Sequence, residues 1–332
     1  DPLWVGKKKP SPDHPTGITH RETLKMDWSH GHNQTVHNGI SRIGFYTGGH
    51  AARFRDEDLA DRWVNESVEF MERHHKARPD EPFFLFFSSH DLHVPRMPHE
   101  RFQGVTPLGF RGDSIVQLDW CVGELTATLD RLGLTDETLI VFCSDNGPVL
   151  DDGYKDGAVE LIGDHKAAGP YRGGKYSVFE GGVRTPFITC WPGTIEPSVS
   201  ERTVCTIDLP ASLATLAGVQ IPAGACPDSA DVLPALLGKA GADGREELVV
   251  QNNGNAFALI AGRWKLHSHP RGQTRNLTVE RQLANTNVPP FALFDLAADP
   301  QETTNVAEDH PEIAARLTER LKDYLAGGGM RR

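Results

Sequence analysis

Short runs of consecutive apolar residues alternate along this chain with longer segments whose apolar residues recur at helical spacing. The runs at 83–87, 139–143 and 187–190 are rich in β-prone residues and predict buried strands. Helical spacing predicts one helix over 56–76, with Asp56 as its cap, and a second over 113–132 that ends before Gly133. This order of strands and helices predicts an α/β fold in which helices pack against a sheet.

The pattern changes in the last third of the chain. A Gly- and Ala-rich stretch at 238–244 predicts a linker. Beyond it, four short β-prone pieces precede an amphipathic helix over 312–325, namely 248–251, 256–260, 264–267 and 291–296. We therefore expect two domains, residues 1–243 and a C-terminal α+β subdomain at 244–332. The first 54 residues have weak periodicity and predict mainly loops.

Composition excludes several classes of protein. The formal net charge of -11 argues against a nucleic-acid partner, because phosphate backbones attract clustered Lys and Arg. No apolar run approaches the length that crosses a bilayer, so we expect no membrane span. The 5 cysteines include no C-x-x-C spacing, so neither a disulfide scaffold nor a zinc site is predicted. The first residues lack the pattern of a signal peptide.

Candidate chemistry is concentrated between Ser144 and Arg184. Asp145 and Asn146 follow the 139–143 run after a single serine, at the strand end where α/β sheets place ligand sites. Their carboxylate and carboxamide oxygens suit a hard divalent cation such as calcium. Lys175 lies in a loop of small residues that leaves its ammonium open to an anion. Asp145 to Gly147 alone also fits a plain turn, but the combination predicts a metal-assisted anion site.

Four segments, in this order, resemble motifs of the sulfatase family: SDNGP from Ser144, RGGK from Arg172, EGGVRTP from Glu180 and WPG from Trp191. The resemblance implies the alkaline-phosphatase-like α/β fold, with a mixed, mostly parallel sheet flanked by helices. It also implies a small antiparallel C-terminal subdomain with a terminal helix.

The same resemblance implies roles for single residues. Asp145 and Asn146 would be ligands of one calcium ion, and Lys175 would contact the sulfate and its bridging oxygen. His93, in the loop after the 83–87 run, is the candidate proton donor to the leaving oxygen, because imidazole titrates near neutral pH. A hydrogen-bonded structural histidine is the alternative for His93. His90 could orient His93 or line the pocket.

Other residues near these motifs have two open interpretations each. Arg172 could contact substrate or form a structural ion pair. Glu180 and Arg184 are expected to hold their turn together, because a buried charge needs a partner. The loop 151–169 could set specificity at the rim of the site through Asp164, His165 and Lys166, or could be a solvated surface loop.

One departure from the family pattern matters. Sulfatases use a formylglycine made from the Cys or Ser of a C/S-x-P-x-R motif, and this chain contains none. In the nearest segment, which starts at Cys190, Thr194 stands where Arg is required. The family's other metal-binding Asp pair is also absent. We therefore expect an N-terminally truncated chain, similar to the C-terminal two-thirds of a sulfatase, whose missing segment supplies the formylglycine and completes the site.

The predicted function is that of a sulfuric ester hydrolase that desulfates a carbohydrate by a calcium-assisted formylglycine mechanism in the full-length protein, with this fragment inactive alone. A phosphodiesterase or phosphonate hydrolase of the same superfamily is one alternative. A non-catalytic sulfoglycan-binding relic is another. By family analogy the protein would be periplasmic or secreted.

Overall fold

Two compact units make up the chain, and each contains two separate stretches of sequence. The computed structural model describes residues 2–3, 16–30, 32, 35–37, 39–42, 48–49, 54–252, 254–270, 273–274 and 286–327. The first unit is Asp1–Thr135 with Leu150–His165, and the second is Asp136–Val149 with Lys166–Arg332. The predicted boundary at 243/244 falls inside the second unit and stays a prediction. About half of the first 54 residues, which are predicted mainly as loops, lie outside the described residues.

The first unit is built on two helices, α1 (Leu59–Ala77) and α2 (Gly109–Arg131). They pack together through a buried cluster of Ala60, Val64 and Cys121. Its short strands form the antiparallel pairs β1 (Pro2–Leu3) with β4 (Gly48–Gly49) and β2 (Thr35–His37) with β3 (Ile40–Arg42). Single 3-10 turns lie at Arg21–Thr23, Asp56–Asp58 and Glu100–Phe102.

The second predicted helix begins earlier than its apolar pattern indicated. Asp113 is buried within α2 rather than capping it. Its carboxylate accepts hydrogen bonds from the backbone N–H groups of Gly104, at 2.8 Å, and Thr106, at 3.0 Å. Asp113 therefore ties the preceding loop to the helix, which explains why a polar residue lies on its buried side.

The prediction of a strand at 83–87 is wrong. The segment belongs to none of the described strand pairs, although its side chains alternate between partly buried and exposed as in a strand. Phe84 is 73% exposed and Phe86 is 78% exposed, while their neighbours are partly buried. A strand requires backbone partners, and no described residue pairs with this segment.

The second unit contains two sheets. β5 (Ile140–Cys143) pairs antiparallel with β6 (Phe187–Cys190). A four-stranded antiparallel sheet is formed by β7 (Glu247–Gln251), β8 (Phe257–Ala261), β9 (Trp264–Ser268) and β12 (Phe291–Asp295). Its strand order is β12–β9–β8–β7. A separate pair is formed by β10 (Gln273–Thr274) and β11 (Thr286–Asn287). The predicted antiparallel C-terminal strands are confirmed.

Helices complete the second unit. They are α3 (Glu180–Val183), α4 (Leu209–Leu216), α5 (Leu233–Leu236) and the terminal α6 (Pro311–Gly327), with a 3-10 turn at Thr206–Asp208. Another 3-10 turn, Thr135–Glu137, spans the junction of the units. No helix within the described ranges is long and apolar enough to span a membrane.

Both faces of the four-stranded sheet are covered. On one face, a leucine from each of three strands packs against two leucines of α6: Leu259, Leu266, Leu293, Leu317 and Leu321. On the other face, Ala258 contacts Val178, and Ala292 and Phe294 contact Phe179. Burying each leucine or phenylalanine stabilises the unit by about 1.5–3 kcal/mol. The segment around Val178 is therefore held firmly on the sheet.

The paired strands in the described ranges are all antiparallel. One parallel bridge, between Met26 and Ile40, is isolated. The mostly parallel arrangement implied by the family resemblance is thus not visible in these strand pairs, whereas the α/β character and the C-terminal sheet are.

Candidate functional site

The turn that follows β5 is held by the backbone around it. The Ser144 N–H donates to the Pro186 carbonyl at 3.3 Å, and the Gly147 N–H donates to the Gly182 carbonyl at 2.8 Å. Ser144 Oγ donates to the Asn146 carbonyl at 3.0 Å. These bonds fix the backbone on both sides of Asp145, so the strand end presents its side chain in one place.

Asp145 and Asn146 offer two oxygen donors at this turn. Asp145 is exposed, and its carboxylate accepts no hydrogen bond from any described residue. Asn146 Nδ2 donates to the Gly147 carbonyl at 2.9 Å, which leaves Oδ1 available as a ligand. Calcium takes six to eight oxygens, and the described residues contain no cluster of three acidic, His or Cys ligands. The pair therefore fits part of a calcium shell.

The loop at 172–184, here called the lysine loop, is bonded directly to this turn. The Lys175 N–H donates to the Pro148 carbonyl at 3.0 Å, and the Gly181 N–H donates to the Arg172 carbonyl at 2.7 Å. The loop therefore closes on itself while its lysine backbone lies beside the metal-binding candidates. The structure thus brings the backbone of Lys175 next to the Asp145–Asn146 turn.

Glycines make this approach possible. A Cβ on Gly147 would lie 1.9 Å from the Gly181 carbonyl oxygen, and one on Gly182 would lie 2.4 Å from the Gly174 oxygen. No side chain fits such distances. The turn can therefore meet the lysine loop, and the loop can close on itself, only where these positions are glycine. The glycines of the DNG and EGG motifs thus have a packing reason.

The side chains of the loop differ in their surroundings. Lys175 Nζ lies 5.6 Å from the centre of the Tyr176 ring. The Arg172 guanidinium lies 4.3 Å from the centre of the Phe179 ring and donates to the Glu302 carbonyl at 2.9 Å. These contacts favour the structural interpretation of Arg172, while its contact with substrate stays a prediction.

The expected pairing within the EGG turn is confirmed. Glu180 is buried, and its Oε2 lies 3.3 Å from Nη1 of Arg184. Its other oxygen, Oε1, lies 2.7 Å from Nζ of Lys265, which is fully buried on β9. Sequence analysis did not identify Lys265. Lys265 and His267 are polar residues at alternate positions of one strand, a pattern typical of a side that faces solvent.

In the first unit, the histidine loop (90–99) has its own supports. His93 is exposed, and its Nδ1 lies 2.8 Å from the Val94 carbonyl. A proton on Nδ1 makes Nε2 the nitrogen that can exchange protons with a ligand. The His90 and His93 rings have centroids 6.2 Å apart, and the His93 N–H donates to the His90 carbonyl at 3.1 Å.

Gln117 of α2 supports this loop at two points, although sequence reasoning missed it. Its Nε2 donates to Asp91 Oδ1 at 2.7 Å, and its Oε1 accepts the His99 N–H at 2.7 Å. Burial raises the pKa of Asp91, although the hydrogen bonds from Gln117 and Ser89 lower it. A buried glutamine on an amphipathic helix is the signal that could have identified this support.

The predicted rim residues Asp164, His165 and Lys166 are all exposed. Their side chains make no hydrogen bond or ion pair with the described residues, and the His165 N–H closes a turn to the Ile162 carbonyl at 3.1 Å. Asp164, His165 and the histidine loop belong to the first unit, whereas Lys166 belongs to the second with Asp145 and Lys175.

Comparison with protein families identifies one match. The family model described as Sulfatase matches residues 11–219. This range contains both motif-bearing loops and the turn after β5.

Individual relatives agree with that match. The chain is 45% identical over 322 residues to N-acetylgalactosamine-6-O-sulfatase of Bacteroides thetaiotaomicron, covering 97% of this chain and 62% of the relative. It is 34% identical over 275 residues to Arylsulfatase A of Bos taurus, covering 80% and 52% of the two chains. The chain therefore spans between about half and two-thirds of the length of these relatives.

Solved structures support the fold. A structure from work on glycosaminoglycan metabolism by Bacteroides thetaiotaomicron (BT33336S-sulf) is similar with a TM-score of 0.89 at 44% identity, covering 97% of this chain and 66% of that one. The PsFucS1 sulfatase from Pseudoalteromonas sp. has a TM-score of 0.69 at 24% identity, covering 85% and 57%. The expected alkaline-phosphatase-like fold is confirmed by these similarities.

Proposed function

Because this chain belongs to the sulfatase family, we propose that it forms the metal- and lysine-bearing part of an enzyme that removes sulfate from carbohydrates. The observation that carries the proposal is the bonding of the turn after β5 to the lysine loop. That bonding places two oxygen donors and the backbone of Lys175 in one unit.

For the substrate, we propose a 6-O-sulfated N-acetylgalactosamine residue. The support is the 45% identity to a relative named N-acetylgalactosamine-6-O-sulfatase. A sulfated sugar presents an anionic group on a hydroxylated ring, and the exposed Asp164, His165 and Lys166 offer charged and hydrogen-bonding groups for such hydroxyls. We place these three residues at the rim of the site and give them a role in specificity. Such an enzyme would be periplasmic or secreted.

Asp145 and Asn146 would hold one calcium ion, which when bound lowers the charge on the sulfate oxygens. Lys175 binds the sulfate and stabilises the charge that develops on the bridging oxygen. His93 donates a proton to that oxygen as it leaves, and His90 lies where it can orient the His93 ring. No Cys or Ser of this chain lies in the sequence that forms a formylglycine, so no nucleophilic step is assigned to these residues.

A direct test compares sulfate with phosphate esters. The protein as its gene encodes it would be assayed on a 6-O-sulfated N-acetylgalactosamine glycoside and on the matching 6-phosphate, with calcium and after chelation. The proposal predicts sulfate release that chelation abolishes and calcium restores. Faster release of phosphate would instead indicate a phosphodiesterase or related hydrolase. Binding of the sulfated sugar without release of sulfate would indicate a relic.

Calcium binding tests the two ligands separately from turnover. Asp145→Asn should weaken calcium binding, measured by titration calorimetry, by about tenfold or more, because it removes a charged ligand. Asp323→Asn, at an exposed position on α6, is the matched control and should leave the affinity unchanged. Equal affinities for both variants would contradict the assignment of Asp145.

A further inference from the structure

A network of buried charges connects the four-stranded sheet to the lysine loop. Lys265 and His267 lie on the same side of β9, and both side chains are fully buried. Lys265 Nζ lies 2.7 Å from Glu180 Oε1 and 3.1 Å from Glu302 Oε1. His267 Nε2 lies 2.7 Å from the same Glu302 oxygen. One lysine thus joins two carboxylates that come from different parts of the chain.

Glu302 contacts the lysine loop through both its side chain and its backbone. Its Oε2 accepts the Glu180 N–H at 2.5 Å, and its carbonyl accepts the Arg172 guanidinium at 2.9 Å. Its side chain is fully buried, and its φ of 55° lies in the left-handed region that non-glycine residues rarely adopt. Such a conformation persists only where several contacts determine it, and here those contacts bond both ends of the loop.

The charges of the network are compatible with burial. Burial lowers the pKa of His267 to about 4, so this ring is neutral at pH 7 and donates to the carboxylate through Nε2. Burial raises the pKa of Glu302. Lys265 and the hydrogen bond from His267 lower it by more than burial raises it, so the pKa of Glu302 lies below its ordinary value. Glu302 is therefore an anion, and Lys265 balances its charge.

A second attachment lies next to the catalytic lysine. Asn252, at the end of β7, donates from Nδ2 to the Tyr176 carbonyl at 3.0 Å. Its Oδ1 accepts the Gly254 and Ala256 N–H groups at 2.8 Å and 2.9 Å, which fixes the amide in the turn between β7 and β8. The sheet thus bonds the loop both at Tyr176 and at Glu180, on the two sides of Val178.

We infer that Lys265, Glu302 and Asn252 are positioning residues, through which the four-stranded sheet determines where Lys175 lies. The inference rests on the proposed function only in giving Lys175 its catalytic role. The attachment itself is a property of the fold and can be measured without substrate.

The main variant is Lys265→Met, and Arg245→Met is its control. Arg245 forms a similarly buried ion pair with Asp208 in the same unit, and none of its hydrogen bonds among the described residues reaches the lysine loop. Amide hydrogen exchange should become about tenfold faster at Lys175 and Gly181 in Lys265→Met, with little change there in Arg245→Met. Equal protection at these amides in wild type and Lys265→Met would overturn the inference, as would equal loss in the control.

Kinetics of the encoded protein then separate positioning from stability. Lys265→Met should lower kcat by tenfold to about a hundredfold with a smaller change in KM, because a displacement near 1 Å has such effects. Arg245→Met should keep kcat within about twofold at a temperature where both variants are folded. If the wild type has no sulfatase activity, the proposed function fails, while the exchange result still decides the inference.

A milder variant and the unaltered protein cover the case in which Lys265→Met does not fold. Asn252→Asp keeps the acceptor for the β7–β8 turn and replaces the donor to Tyr176 with a carboxylate oxygen, so exchange at Lys175 should rise about threefold to tenfold. In the wild type, the amides of Lys175 and Lys265 should open together as mild denaturant is added. Opening of Lys175 well before Lys265, or no effect of Asn252→Asp, would overturn the inference.

Discussion

The lysine loop contains several glycines and the rim residues 164–166 are flanked by glycines, yet the two segments are held in opposite ways. Lys175 lies in a loop whose backbone bonds the turn after β5, and buried side chains bond it to the sheet. The side chains of Asp164, His165 and Lys166 have no such bonds to described residues. A Cβ on Gly182 would collide at 2.4 Å, whereas one on Gly163 or Gly169 meets nothing within 4 Å.

This difference separates two kinds of task. A group that stabilises charge on a reacting atom must stay within a fraction of an ångström of its place, so its loop is restrained from several sides. A group that selects among sugars needs only to reach them, and an exposed loop can vary without cost to the fold. The comparison predicts large effects on stability from the lysine loop and small ones from the rim.

The largest effect is expected from Gly147→Ala. Its Cβ would lie 1.9 Å from the Gly181 oxygen, so the turn and the lysine loop must separate. We expect a loss of about 3 kcal/mol in the free energy of unfolding, measured with denaturant. Gly163→Ala, with open space but a φ of 54°, is the control and should cost only about 1 kcal/mol. Similar losses for the two variants would remove the distinction between the segments.

Acid should weaken the region around the lysine loop. Burial lowers the pKa of His267 and of His269 to about 4, below their value of about 6.5 in an unfolded chain. The unfolded state therefore binds more protons between these values, and stability falls as pH drops from 6.5 toward 4. Each histidine contributes a slope of up to about 1.4 kcal/mol per pH unit.

His269→Gln should reduce that slope by the share of one histidine, measured as the free energy of unfolding at pH 7 and pH 5. Glu302 acts with the same sign at lower pH, since its lowered pKa stabilises the fold above its ordinary value and this contribution disappears in acid. A stability that does not change between pH 7 and pH 5 would show that these histidines are not held neutral in the fold.

The smallest effects on stability are expected at the rim. Asp164→Ala, His165→Ala and Lys166→Ala should each change the free energy of unfolding by less than about 0.5 kcal/mol, because their side chains are exposed. If these residues set specificity, each substitution should raise KM for the sulfated sugar severalfold and leave kcat nearly unchanged. An unchanged KM in all three variants would favour a solvated surface loop.

The local sequence pattern predicted the longer helices and the strands of the two main sheets of the second unit, because such a pattern reflects which face of a segment is buried. The predicted terminal helix over 312–325 corresponds to Pro311–Gly327, and the predicted strand over 187–190 has the bounds observed. The segment 83–87 shows the limit of such reasoning. Its apolar residues are typical of a strand, but a strand exists only with a partner, and partners are not encoded in the segment itself.

Burial was harder to predict than element type. In α1, Trp63 is 42% exposed, whereas the smaller Ala60 and Val64 pack against α2. The apolar spacing that predicts this helix therefore does not by itself identify the residues that face its neighbour.

Candidate site residues could be predicted only where short motifs carry them. Asp145, Asn146 and Lys175 were predicted from such motifs and the family resemblance. Lys265 and Glu302 lie 85 and 122 residues from Glu180 in sequence and contact it only through the tertiary structure. Polar residues at alternate positions of β9 would indicate a solvent-exposed face if only one face of the sheet were packed against other segments. Here α6 covers one face and the lysine loop covers the other, so that rule failed.

The role proposed for Lys175, whose backbone lies next to the Asp145–Asn146 turn, is to act directly on a sulfate ester. The most direct test is sulfate release from a 6-O-sulfated N-acetylgalactosamine glycoside by the encoded protein and by Lys175→Ala, measured side by side. We expect kcat/KM to fall by about a hundredfold or more in the variant while its melting temperature stays the same. Equal sulfate release by the two proteins would contradict it.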